Sequence, residues 1–179
     1  MLKLVLDTNV IISAINFDAK PELIVRLITS KRAKGYISRF IIAEVCSTLR
    51  NKFKFSPEKI DRAENILLNN FVLIEPEIII NIIKNCSAEN KILACALAAK
   101  ADYLISGDKK HILLLKKIKN IPILSPEQFL RLLAYKDVPW RLSSAGAAKR
   151  RATAGKTTRA KTTARTLRNL LFLFGGQTS

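Results

Sequence analysis

Histidine is nearly absent from this chain of 179 residues: His111 is the one imidazole. The three cysteines, Cys46, Cys86 and Cys95, form no CxxC pair, so their spacing matches neither a zinc site nor a disulfide framework. A reduced, cytoplasmic setting is the expectation. No apolar stretch approaches the roughly 18 residues of a membrane span. The early apolar run is cut by Asp7 and followed by no small-residue cleavage site, which argues against a secretory signal. Aromatic residues make up only 7% of the chain and do not alternate with basic ones, so a base-stacking platform for single strands is not indicated. Acids disappear after position 140: all 14 Asp and Glu precede it, whereas positions 141–179 carry nine Lys and Arg.

What is present is a hydrophobic fraction of 49%, too high for a disordered chain, in a length that fits one full domain plus an appendage. We expect a folded domain over 1–140 and a basic, flexible extension over 141–179, where, from about Ser143 to Leu167, Ala, Thr, Gly and basic residues leave no face to bury and the closing LRNLLFLFGG is apolar but too short to span a membrane. The net charge of +17 favours a polyanionic partner such as nucleic acid.

Along the domain, short apolar strands alternate with amphipathic helices. LKLVL at 2–6, YIS at 36–38, YLI at 103–105 and IPILS at 121–125 read as strands. AKPELIVRLITSKRAKG reads as a helix stopped by Gly35, and RFIIAEVCSTLRNKF as a helix with its stripe at Ile41, Val45 and Leu49. Ser56-Pro57 opens another helix, Ser87 caps the Ala-rich AENKILACALAAKA, and KKHILLLKKIKN is expected to be helical. Ser125, Pro126 and Gln128 predict a capping box for a last helix. FVLIEPEIIINII, broken by Pro76, is one strand with a turn or two short ones. Such alternation predicts an α/β domain whose parallel sheet is covered on both faces.

Open parallel sheets bind ligands outside the carboxyl ends of their strands. Asp7 directly follows LVL, and Asp108 follows YLIS across Gly107. Glu89 begins the series 89, 92, 93, 96, 97 that forms the buried face of its helix, and Glu44 flanks the stripe of Ile41 and Val45, where an unpaired acid is costly. Four converging acids without imidazole or thiolate suit a hard cation, Mg²⁺ or Mn²⁺, and phosphodiester hydrolysis is the chemistry that uses such a set.

Asp7-Thr8-Asn9, Glu44, Glu89-Asn90-Lys91 and Ser106-Gly107-Asp108, together with NKILACALAAKADYLISGD, resemble the PIN-domain nucleases, in particular the prokaryotic VapC-like toxin components of toxin–antitoxin systems. The resemblance spans about 2–134. It implies a three-layer α/β/α domain with a central parallel sheet, a Mg²⁺- or Mn²⁺-dependent ribonuclease, metal binding by Asp7, Glu44, Glu89 and Asp108, an antitoxin partner, and homodimerisation. The family's DPDD segment before NK is here Cys86-Ser87-Ala88-Glu89, so one acid is missing and Glu replaces an Asp. The loop after Asp108 is one residue longer than the usual form.

Around the acids, Asn9 either steadies Asp7 or caps the first helix, Thr8 and Ser106 offer hydroxyls to phosphate or metal-bound water, and Asn90 offers an amide. Lys109 suits contact with phosphates, whereas His111 reads as a surface or packing residue rather than an acid toward the leaving oxygen. Two other readings stand beside the nuclease: a nucleic-acid-binding protein with a weak or degenerate site, and an interaction module without nuclease activity.

Overall fold

The computed structural model describes residues 1–16 and 20–136. Trp140 and the expected extension at 141–179 lie outside the described residues. Strands β1 (Lys3–Leu6), β2 (Lys34–Ile37), β3 (Phe71–Leu73), β4 (Tyr103–Ile105), β5 (Lys117–Ile118) and β6 (Ile121–Leu124) form one sheet in the order β3-β2-β1-β4-β6-β5. Every pairing is parallel except β5 with β6. Helices α1 (Thr8–Asn16), α2 (Lys20–Thr29), α3 (Arg39–Asn51), α4 (Pro57–Asn70), α5 (Ser87–Ala98) and α6 (Pro126–Lys136) complete a three-layer α/β/α fold. None of the described helices is long and apolar enough to cross a membrane.

The strand order places the site. From β1 the chain steps to β2 and on to β3, then returns through α5 to add β4 on the other side of β1. Right-handed crossovers in opposite directions put α1–α4 on one face of the sheet and α5 on the other. Helix α1 accordingly packs between α2 and α3, and α3 against α4, while α5 lies on β1, β2 and β4. The reversal makes a topological switch point between the carboxyl ends of β1 and β4.

The apolar runs of the central strands are buried: Leu4, Val5, Leu6, Leu104 and Ile105 are at most 1% exposed. Each fully buried leucine or isoleucine contributes about 1.5–3 kcal/mol relative to exposure. Phe129 of α6 is wholly buried and tilts against Tyr103, with ring centroids 5.5 Å apart.

Several sequence expectations are corrected. Gly35 does not stop α2; it lies within β2, where an added Cβ would come within 2.6 Å of the Phe71 ring and 2.8 Å of Ile28. The turn out of α2 is made earlier, at Lys31 with φ 60°, and the amides of Arg32 and Ala33 both donate to the Leu27 carbonyl. After β3 the chain 74–83 forms no second strand, consistent with the donor lost at Pro76. Residue Cys86, not Ser87, occupies the cap position of α5 and makes no side-chain capping bond. The segment expected as a helix at 109–120 is a 3₁₀ turn (Ile112–Leu115) followed by β5, which pairs Ile118 with Ile121 and buries both. The capping box of α6 forms as expected: Gln128 N–H donates to Ser125 Oγ at 3.2 Å, and Ser125 N–H to Gln128 Oε1 at 2.8 Å.

Candidate active site at the switch point

Asp7 ends β1 and opens α1. Its own amide continues the sheet by donating to the Ile105 carbonyl at 2.9 Å, and its carbonyl accepts the first helical bonds from Val10 and Ile11. The backbone is thus fixed between strand and helix, and the residue is 2% exposed. Oδ2 accepts from the Ser106 hydroxyl at 2.6 Å and Oδ1 from the Asn9 amide at 3.4 Å. Asp7 is thus the cap of α1. Asn9, offered by sequence as that cap, is an exposed residue within the helix that supplies a backbone donor.

Burial pushes the Asp7 carboxyl above its ordinary range. The hydrogen bonds from Ser106 and Asn9 oppose that push, and the negative charges of Glu44 and Asp108 add to it. Its neighbours are thus other acids, and among the described residues no lysine or arginine forms an ion pair with Asp7, Glu44, Glu89 or Asp108.

Ser106 couples the two strand ends. While its hydroxyl donates to Asp7, its oxygen accepts the Asp108 amide at 3.0 Å. Asp108 then sits at the start of a tight turn whose amides point back at its carboxylate: Lys110 at 2.9 Å and His111 at 3.2 Å to Oδ1, Ile112 at 3.2 Å to Oδ2. His111 Nδ1 lies 3.1 Å from Oδ2. Partial burial pushes this carboxyl up, but the amides of Lys110, Ile112 and His111 and the imidazole outweigh it and leave the carboxyl below its ordinary range.

The glutamates join from the helices. Glu44 of α3 accepts the Thr8 hydroxyl at 2.5 Å, and Glu89 of α5 lies 3.8 Å from His111 Nδ1. A continuous series of contacts therefore runs from Glu44 through Thr8, Asp7, Ser106, Asp108 and His111 to Glu89. Asn90 does not join it. It is buried, accepts the amides of Ile82 and Ile83 at 3.0 Å and donates to the Ile83 carbonyl at 2.8 Å, which fixes the chain before α5. Lys109 is exposed beside Asp108, and Lys91 lies over the Phe40 ring at 4.4 Å.

Two residues that sequence spacing passed over are part of this neighbourhood. His111 touches both Asp108 and Glu89. Cys86 joins Glu89 and His111 in a group whose ligand atoms all lie within 4.8 Å of one another. An i, i+3 offset was the one local signal for each, His111 from Asp108 and Cys86 from Glu89; nothing local announces that Cys86 meets His111. Two hollows open on the surface, and none of the four acids lines either. One, of about 780 Å³, runs beside α5 past Phe40, Glu75, Cys86 and Lys91; the other, of about 370 Å³, is an apolar groove between α1 and α4.

A family model described as PIN domain matches residues 3–110. The crystal structure of VapBC2 from Rickettsia felis bound to a DNA fragment from their promoter is similar in fold, with a TM-score of 0.51 and 20% sequence identity over 69% of this chain and 98% of that one. No curated protein matches the chain.

Proposed function

Since the chain belongs to the PIN domain family, we propose that it is a Mg²⁺- or Mn²⁺-dependent endoribonuclease, with Asp7, Glu44, Glu89 and Asp108 as its metal-binding and catalytic acids. The observation that carries this reading is the Asp7 carboxylate, pushed up first by its burial and then by the charges of Glu44 and Asp108, tied to Asp108 through one hydroxyl, and met among the described residues by no ion-paired lysine or arginine. Buried negative charge of this kind is expensive unless a cation meets it, and an all-oxygen donor set suits a hard one. When bound, such an ion supplies charge neutralisation at phosphorus and a more acidic water for phosphodiester hydrolysis.

The chain's own residues do the positioning. Ser106 holds Asp7 and the Asp108 backbone in one register, Thr8 aims Glu44, and the three amides of the 110–112 turn fix Asp108. Carboxylates held this way lose little entropy on meeting a ligand, which is what a catalytic shell needs. Lys109, exposed next to Asp108, is placed to meet a substrate phosphate. His111 serves as a positioning residue for Asp108 and Glu89.

The reading extends to partners. The resemblance in the acid motifs, and a fold shared with VapBC2, support a cytoplasmic, homodimeric toxin restrained by an antitoxin protein. The basic stretch 143–166 adds salt-sensitive affinity for RNA or DNA; a version ending near Trp140 is expected to show a shallower dependence of binding on salt, and equal slopes would sink that role.

The deciding experiment is cleavage of a mixed RNA pool by wild type and Asp7→Asn in EDTA, Mg²⁺ and Mn²⁺. Cleavage is expected in wild type with either metal, absent in EDTA, and lower by about 10²–10³-fold in the variant. No cleavage by wild type over varied substrates would instead favour the nucleic-acid-binding reading.

A further inference from the structure

Three residues from two separate parts of the chain meet beside the carboxylate set: Cys86 at the cap of α5, Glu89 in its first turn, and His111 in the turn after Asp108. We infer that Cys86, Glu89 and His111 form a binding site for a thiophilic divalent cation of the Zn²⁺ class, which takes Glu89 away from the hard-cation set and so opposes hydrolysis.

The geometry favours this. The three ligand atoms lie within 4.8 Å of one another, and all three side chains are half-buried, held enough to be organised yet open to an entering ion. Ligands of a tetrahedral Zn²⁺ ion with sulfur, nitrogen and oxygen donors stand roughly 3.3–3.6 Å apart. Closing to that distance takes side-chain adjustment, not movement of the sheet. Asp108 Oδ2 lies 3.1 Å from His111 Nδ1 and steadies the imidazole, as the carboxylates beside metal-bound histidines do, which leaves Nε2 as the nitrogen for the ion. Three protein donors leave a fourth position for water.

Donor chemistry separates this site from its neighbour. Thiol sulfur and imidazole nitrogen are poor ligands for Mg²⁺ and good ones for Zn²⁺, Co²⁺ and their relatives, whereas carboxylate oxygen serves either kind of ion and an all-carboxylate set such as Asp7, Glu44 and Asp108 suits the hard one. Glu89 belongs to both sets, so the two occupancies compete for one side chain. The other cysteines, Cys46 and Cys95, are buried and stand apart from the cluster, so a thiolate signal reports Cys86.

The competition rests on the nuclease reading, but the site itself is tested without it. Metal-free, tag-free wild type titrated with Co²⁺ is expected to develop a thiolate-to-cobalt charge-transfer band and visible bands of tetrahedral type, at one ion per chain, both removed by one equivalent of Zn²⁺. In Cys86→Ser the charge-transfer band is lost; in His111→Gln affinity falls by about tenfold or more. No such band in wild type, or a band that persists in Cys86→Ser, overturns the site. In the RNA assay, equimolar Zn²⁺ is expected to lower the Mg²⁺-supported rate of wild type by about tenfold and that of Cys86→Ser by less than about twofold. Equal inhibition of the two proteins overturns the competition for Glu89. A protein that cleaves no RNA with any metal fails the nuclease reading, and the cobalt band then decides the site alone.

Discussion

The carboxyl ends of β1 and β4 are hydrogen-bonded neighbours, and each delivers an aspartate to the same rim of the sheet, yet they treat its charge in opposite ways. Asp7 is sealed between β1 and α1 with one hydroxyl and one distant amide to accept from, and burial prevails. Asp108 is followed by a turn that aims three amides and an imidazole at its oxygens, and the hydrogen bonds prevail. Position on a sheet edge therefore does not set a carboxylate's state; the depth of its burial weighed against the donors wrapped around it does. One end offers a carboxylate in need of a cation, the other a carboxylate already settled as an anion.

The largest effect expected from breaking this pairing is on chemistry. Asp7→Asn and Asp108→Asn should each lower metal-dependent RNA cleavage by about 10²–10³-fold, because each removes a charge aimed at one ion. If cleavage by either variant stayed at the wild-type rate, the two ends would not share a site. Next comes Ser106→Ala, which strips Asp7 of its shortest bond and releases the Asp108 amide at once; a loss of about 1–3 kcal/mol in metal-free unfolding is expected, and an unchanged denaturation midpoint would show that the hydroxyl does not couple the strands.

Smaller and opposite stability effects sharpen the contrast. In EDTA at neutral pH, Asp7→Asn should raise stability by about 1–2 kcal/mol, since the amide escapes the cost of burying charge, while Asp108→Asn should lower it by a similar amount by weakening bonds to an anion. Two shifts of the same sign would contradict the opposed environments.

The subtlest difference is in pH dependence. Asp7 has a folded pKa above its unfolded one, so its contribution is present below the unfolded pKa and is lost as pH rises through the folded value. For Asp108, whose folded pKa is depressed, the contribution is present above the unfolded pKa and lost as pH falls through the folded value. Urea unfolding followed from acid to neutral pH in EDTA should lose its falling component in Asp7→Asn and its low-pH rise in Asp108→Asn. Identical profiles for the two variants would remove the distinction.

Much of this arrangement was legible beforehand because it depends on local pattern. LKLVL and YLI are largely apolar and their Leu4, Val5, Leu6, Leu104 and Ile105 are buried, which marks them as central strands and marks the acids beyond them as rim residues. The α6 capping box is likewise a short-range matter of Ser125 and Gln128. Gly35 was misread because a glycine after a helical pattern signals a stop, whereas here the absence of a side chain makes room for the Phe71 ring from the next strand. The 109–120 segment has helical composition, but pairing with β6 claims Lys117 and Ile118 for the sheet.

Sequence alone determined the alternation of strands and helices, the family resemblance, and the positions of Asp7 and Asp108 at strand ends, since each is encoded within a few residues of itself. Tertiary structure decided what those acids meet. Ser106 bridges them only because β4 lies beside β1, nearly a hundred positions away in the chain, and Glu44 reaches Thr8 only because α1 packs on α3. Asn90 is drawn from the site to the Ile82–Ile83 backbone, while His111 and Cys86 are drawn toward Glu89. The physical reason is range: propensity and periodicity act over one or two turns, but burial, charge coupling and ligand geometry depend on distances through space that the crossover of the chain creates.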